Sequence, residues 1–398
     1  MRWRVSRFFQ RFVFLLSIAL CIALVSGVVL GEYGLLGVRA GGQDGAYRQN
    51  NVYSEVLNKI QTDYVTEPKI NDVTTGALHG LLESLDADSS YLTPAEYKIY
   101  KERPAGAAQV GITASKRYGY AVVVSVLPGS AAAKEHIADG DVIESIGDLS
   151  TRELSLAMIR LMLEGKPGST VALSVVRPGK ADPEKVTLTR ANTGAPALDE
   201  RQLEGATILY LKPGALTASR VDEMAAALKS AAGRKVLLDL RDSAGGDAEQ
   251  GVRLANFFIK QGTLAVLEGQ KFPRQTFTAD PAKFVTGAPL AVLINRGTYG
   301  AAELTAAAIK DAKRGDVVGE RSFGLGSVQE TIELPDGAAL LLTVAKYQTP
   351  AGKKIQDEAV TPTVVVETAG EGEEEEAAPP KSDEPLLKAI ELLKAKNS

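Results

Sequence analysis

The chain has 398 residues, of which 45% are apolar and 24% charged, and its net charge is −4. That size and apolar content describe a globular protein of two or three domains with ample material for a core. Phosphate binding needs concentrated Lys and Arg, and the body of the chain has no such cluster, which argues against nucleic acid as a partner.

The N-terminus carries Arg2, Arg4, Arg7 and Arg11 ahead of an uncharged apolar run over residues 12–30. As a helix rising 1.5 Å per residue this run is about 28 Å long, close to one bilayer core. Basic residues before the span place the N-terminus in the cytoplasm and the body outside it, as in a single-pass protein of a bacterial inner membrane. The competing reading is a signal peptide cleaved near Val38-Arg39-Ala40, which gives a secreted protein. The run is long for a signal and that site lies well beyond it, so an uncleaved anchor is the preferred reading. Cys21, the only cysteine, sits inside the run. The exported body therefore has no disulfide, thiol chemistry or cysteine metal ligand.

After a tip, anchor and linker over residues 1–45, apolar residues at helical spacing over 52–60 and 73–85 predict two helices. Thr93-Pro94-Ala95-Glu96 supplies an N-cap, a proline at the first helical position and a glutamate three residues after the cap. Residues 46–103 are thus expected to form a small helical region. Over 104–191 the pattern turns to short β-rich runs, such as 121–126 and 171–176, with two helices between them. The second helix is expected to open at Ser150, with Glu153 completing a capping box. Residues 192–366 alternate strands, at 206–210, 235–240 and 290–295, with helices near 218–231, 247–260 and 299–312. Such alternation predicts an α/β core. A hairpin follows, with Asp336-Gly337 turning 328–334 onto 338–345. The last segment, 367–398, opens as an acidic linker around Glu373-Glu374-Glu375-Glu376, and residues 385–396 form either a short amphipathic helix or a frayed polar tail.

Elimination narrows the chemistry. Only His79 and His136 are present; one lies on a helical stripe and the other beside a turn, so neither builds a Ser-His-Asp triad. No HExxH or other metal-ligand spacing occurs, nor any GxxxxGK[ST] loop, and no cofactor or metal is expected. Of the common hydrolytic designs a serine-lysine type remains open.

Two resemblances sharpen this. Gly129-Ser130-Ala131-Ala132 followed by Ile137-Ala138-Asp139-Gly140-Asp141-Val142-Ile143 resembles the signature of a PDZ domain. Such a domain binds a peptide as an added strand and holds its terminal carboxylate on loop N–H groups, here Val110, Gly111 and Ile112. Leu85-Asp86-Ala87-Asp88-Ser89, the PDZ-like module, Leu238-Asp239-Leu240-Arg241-Asp242-Ser243-Ala244-Gly245-Gly246 and the stretches from Val292 to Gln329 and from Tyr347 to Gly352 resemble the carboxyl-terminal processing peptidases, or tail-specific proteases. The resemblance covers nearly all of residues 50–366. It implies a multidomain α/β chain: a membrane anchor, a small helical region, a PDZ-like β-rich domain and a crotonase-like α/β peptidase core.

In that family a serine attacks the scissile carbonyl, a neutral lysine takes its proton and a glutamine orients the lysine. Ala302-Glu303 fixes the register. The serine position is then Gly300, the lysine position Leu325, and the glutamine is Gln329. Backbone N–H groups of Gly245, Gly246 and Ala301 correspond to the oxyanion hole. The resemblance therefore implies a degenerate peptidase that holds peptides or protein C-termini. The alternative is an active serine-type endopeptidase with a displaced nucleophile, drawing on Thr298, Ser322 or Ser327 and on Lys310 or Lys313. A third reading is a structural partner, as a homo-oligomer or in assembly with an active paralogue.

Overall fold

A computed structural model describes residues 43–366 and 382–396, apart from 105, 181, 193–196, 232, 244 and 357. The expected anchor, the Val38-Arg39-Ala40 site and the acidic run at 373–376 lie outside these. Among the described residues no helix is long and apolar enough to cross a membrane. The chain divides into two compact units, with the boundary between Thr74 and Thr75.

The described part of the first unit holds helix α1 (Gln43–Asp63) and the start of α2 (Ile70–Glu83). The second unit begins within α2 and continues through β1 (Ser90–Leu92) and α3 (Pro94–Glu102). Helix α3 starts as its sequence predicts: Thr93 Oγ1 accepts from Glu96 N, and Thr93 N donates to Glu96 Oε2 at 2.8 Å.

Next come β2 (Ala108–Gln109), β3 (Ile112–Arg117), β4 (Tyr120–Val126), α4 (Ala131–Lys134), β5 (Val142–Ile146), β6 (Leu149–Ser150), α5 (Leu156–Leu163), β7 (Glu164–Gly165), β8 (Thr170–Val176) and β9 (Glu184–Thr189). An antiparallel sheet in the order β3-β4-β5-β8-β9 forms the body, with β6 beside β5 and β2 paired to β7. Strand β3 stands at its edge. Helix α5 corrects the expected start: Ser150 ends β6, and the cap is Ser155, whose hydroxyl accepts from Met158 N. Both serines precede a run compatible with a helix. Thr151, fully buried and donating to Ile143 O at 2.6 Å, holds residues 151–153 in a turn instead.

The rest of the unit contains β10 (Asp199–Leu203), β11 (Ile208–Lys212), α6 (Ala218–Ser230), β12 (Lys235–Asp239), α7 (Ala248–Phe258), β13 (Thr263–Glu268), β14 (Gln275–Thr278), β15 (Leu290–Ile294), α8 (Ala301–Asp311), β16 (Asp316–Gly319), β17 (Ser327–Glu333), β18 (Ala339–Gln348), β19 (Val364–Val365) and α9 (Glu384–Ala395). One sheet runs β10-β11-β12-β15-β16-β19, parallel except at β10. Its central strands are continuous apolar runs because both faces are covered. Leu209, Leu211, Val236, Leu238 and Val292 pack with α6, α7 and α8. Ile208, Tyr210, Leu237, Ala291 and Leu293 pack with Ala389 and Leu393 of α9. The C-terminal segment is thus a docked helix, clamped at both ends. Arg241 bonds both oxygens of Asp383, at 2.8 and 2.9 Å, and Lys235 Nζ donates to Leu393 O at 2.9 Å.

A second sheet, β1-β18-β13-β14 with β17 on β18, contains the expected hairpin with Gly337 at φ 87°. Strand β1 joins it through Ser90↔Leu341. This pairing brings the segment 86–89 beside β17.

Candidate active site

The parallel strands β12 and β15 end in two loops that meet. Asn295 Nδ2 donates to Asp242 Oδ1 at 2.7 Å, Asp242 N donates back to Asn295 Oδ1 at 3.0 Å, and Tyr299 N donates to Ser243 O at 3.2 Å. In the first loop Gly245 (φ 111°) and Gly246 (φ 98°) adopt backbone conformations that L side chains resist. A Cβ on Gly246 would lie 2.1 Å from Leu216 O, so the close approach of these two segments requires glycine. Among the described residues the N–H groups of Gly245, Gly246 and Ala301 have no acceptor. The three expected oxyanion donors thus sit on two joined loops.

The second loop ends in Gly300, which caps α8 at φ 60° and ψ −111°. A Cβ built there meets Leu325 Cδ2 at 3.6 Å, an ordinary van der Waals contact. The structure therefore brings together the two positions that the sequence aligned with serine and lysine, and neither carries a group that can transfer a proton. Glu303 explains why they meet. It is fully buried and accepts from Gly300 N at 3.0 Å, Leu325 N at 2.7 Å, Gly324 N at 2.7 Å and Ser322 Oγ at 2.5 Å. One carboxyl knits the helix cap to the segment 322–325. Burial pushes its pKa up to about 7, against the donors that favour the charge.

The three hydroxyls that the sequence offered as substitutes are engaged elsewhere. Thr298 is 0% exposed, and its Oγ1 donates to Leu240 O at 2.9 Å and accepts from Asn295 N at 3.0 Å. Ser322 Oγ donates to Glu303 and accepts from Val360 N, while Ser327 Oγ donates to Asp88 Oδ2 at 3.2 Å. Gln329 Nε2 donates to Asp88 O. His79 stacks at an angle on Tyr91 with ring centroids 5.7 Å apart, and His136 sits in a turn whose carbonyl accepts from Arg177.

Arg160, on α5, is a site residue that the sequence reading missed. Its Nη2 donates to Asp88 Oδ1 at 3.2 Å and to Tyr299 OH at 3.1 Å, and its Nε donates to Ala114 O, on edge strand β3, at 3.3 Å. One guanidinium thus joins the β-rich module to the residue before Gly300. A signal existed: Arg160 is the lone charge in Leu-Ala-Met-Ile-Arg-Leu-Met-Leu, where burial demands a partner. Tyr299 is half-buried, and the loss of solvent around its phenol pushes the pKa up to about 12 although Arg160 works the other way. Its ring lies 5.3 Å from Phe323, over which Arg117 stands at 5.0 Å.

In the β-rich module Val110 is buried and Gly111 has φ 87°. A Cβ on Gly111 would stand 2.2 Å from Ser130 Cβ, so no other residue fits without rearrangement. The carbonyls of Val110 and Gly111 are taken by Ala132 N and Leu127 N, whereas the Gly111 N–H has no acceptor among the described residues. Ile112 opens the edge strand. A loop donor beside an unpaired strand edge suits an added peptide strand.

Residues 108–188 match the PDZ domain and residues 207–366 match peptidase family S41. The chain is 31% identical over 338 residues to "Carboxyl-terminal-processing peptidase 2, chloroplastic" of Arabidopsis thaliana, covering 79% of this chain and 62% of that protein. It is 32% identical over 320 residues to a "Carboxyl-terminal-processing protease" of Picosynechococcus, covering 77% of this chain and 76% of the relative. Among solved structures it resembles a "Photosystem II D1 C-terminal processing protease", with a TM-score of 0.66 and 26% identity over 79% of this chain and 86% of the other. Two loops joined at the ends of parallel strands, an upstream module with an open strand edge and relatives of this extent agree, and the chain belongs to the S41 family of C-terminal processing peptidases and carries a PDZ domain.

Proposed function

We propose that this protein binds peptides or protein C-termini without cleaving them, as a degenerate member of its family. The observation that carries this is the closeness of Gly300 to Leu325: the helix cap and the segment facing it are assembled, yet a hydrogen and an alkyl chain occupy the places where proton transfer would begin and end. In a serine protease, removal of the nucleophile alone costs roughly 10⁶ in turnover. The three candidate hydroxyls do not favour a displaced nucleophile, because Thr298, Ser322 and Ser327 each hold structural hydrogen bonds. The PDZ domain supplies the binding surface through Val110, Gly111 and Ile112. The basic and apolar N-terminal sequence supports a place for the body outside the cytoplasmic membrane.

Incubation of the purified chain with an unfolded protein tests the catalytic half. The expected result is no new chain ends, with no labelling by a serine-reactive phosphonate. Cleavage that is lost in Thr298→Ala would instead establish the displaced-nucleophile reading.

A further inference from the structure

Between the end of β4 and the strands β10 and β11 lies a cleft of about 480 Å³ whose lining includes neither Gly300 and Leu325 nor Val110 to Ile112. Its walls carry hydrogen-bond donors without partners. Ser125 is 4% exposed and its hydroxyl bonds to no described residue; Thr113, its cross-strand neighbour, is likewise unpartnered. Lys212 offers three N–H groups and makes a single long contact, 3.4 Å to Asp242 Oδ2. These groups are close together. A Cβ built on Gly297 stands 2.8 Å from Asp242 Oδ1 and 3.4 Å from Ser125 Cβ, so the serine lies no more than about 6 Å from that carboxylate.

The acceptors in the same walls are already engaged. Asp242 Oδ1 takes Asn295 Nδ2 and its Oδ2 faces Lys212 Nζ at 3.4 Å, both oxygens of Asp383 take Arg241, and both oxygens of Asp199 take Arg201. A cleft rich in open donors and poor in open acceptors takes a ligand that accepts. The one half-buried ammonium among those donors favours a charged acceptor.

We propose that this cleft is a carboxylate-binding site, in which Lys212 Nζ and the hydroxyls of Ser125 and Thr113 receive a carboxylate borne on a peptide. Val126, Leu127 and Pro128, which also line it, pack against the attached chain. The carboxylate is a chain terminus or an acidic side chain. The site adjoins the Val110–Ile112 loop, whose Gly111 carbonyl takes Leu127 N, but its donors are different groups.

Calorimetric titration of the full chain tests this with three N-acetylated hexapeptides of alanine and valine: a free acid, its C-terminal amide, and an amide with one internal glutamate. The wild type is expected to bind at least one carboxylate peptide and not the plain amide; the free acid identifies a terminus and the glutamate peptide a side chain. Lys212→Met is expected to weaken that binding about 10- to 100-fold and Ser125→Ala about three- to tenfold. Ser125→Ala removes a hydroxyl that bonds to no described residue, so it reports even if Lys212→Met fails to fold. Equal binding of all three peptides, or none, overturns the proposal. So does unchanged binding in both variants, an outcome that leaves carboxylate capture at the Val110–Ile112 loop intact.

Discussion

Restoring Gly300→Ser together with Leu325→Lys asks whether the scaffold around these two positions remains that of a peptidase. Space is not the obstacle, since a Cβ at 300 makes an ordinary contact with Leu325 Cδ2 at 3.6 Å. The cost lies in the backbone, because φ 60° with ψ −111° is a region that L residues avoid. Such strain is worth about 1–3 kcal/mol. For a unit of this size that lowers the melting temperature by roughly 1–5 °C. Glu303 still ties both segments, so the introduced lysine would start from the position that faces the introduced serine. A positioned general base contributes about 10²–10⁴ in rate. The double variant should therefore cleave unfolded casein about a hundredfold or more faster than Gly300→Ser alone, and a serine-reactive phosphonate should label the introduced serine only in the double variant. A folded double variant that is inert in both assays would refute the alignment of these two positions with the family's dyad.

Other perturbations read the surrounding shell. Glu303 has a folded pKa raised from 4.5 to about 7, so its ionisation opposes folding. The stability it contributes is complete below pH 4.5 and falls by on the order of 3 kcal/mol as pH rises to 7; Glu303→Gln should flatten that slope in denaturant titrations, and an identical slope would exclude the effect. Arg160→Met frees Ala114 O for an added strand and should tighten C-terminal peptide binding about fivefold, whereas weaker binding would show that Arg160 serves the ligand rather than competing with it. Burial works to raise the Asp383 carboxyl, but hydrogen bonding and charge from Arg241 bring it below the usual carboxylate value. Its stabilisation is therefore present above the unfolded value near 3.8 and lost as pH falls through the folded one. Asp383→Ala should cost about 1 kcal/mol and speed amide exchange in residues 384–395; unchanged exchange would mean that apolar packing alone holds α9.

Much of the fold was legible because each local pattern agreed with its tertiary setting. The apolar runs of β11, β12 and β15 are buried on both faces, and Thr93 caps the helix its sequence announces. The pairing of positions 300 and 325 was proposed through Ala302-Glu303, and Glu303 is the side chain that ties the two segments together. What escaped depends on long-range partners. Strand β1 has three residues, all buried, too few for any alternation to show, and its partner lies some 250 positions away. Ser150 and Ser155 carry equivalent capping chemistry, and buried Thr151 decides between them. Lys212 looks like an ordinary surface cation, and the partner of Arg160 across the site stays hidden, until the PDZ domain is set against the core. The C-terminal helix needed the apolar face of the parallel sheet to make it more than a polar tail.

The central claim is that this chain holds a C-terminus and does not cut it, and one sample tests both halves. The full chain is titrated calorimetrically with a peptide bearing a free carboxylate and with its amide, and each mixture is then analysed by mass spectrometry after prolonged incubation. Heat of binding is expected for the free acid, with at least tenfold weaker binding for the amide and intact peptide in both mixtures. Shortened peptide, or binding indifferent to amidation, would contradict the claim.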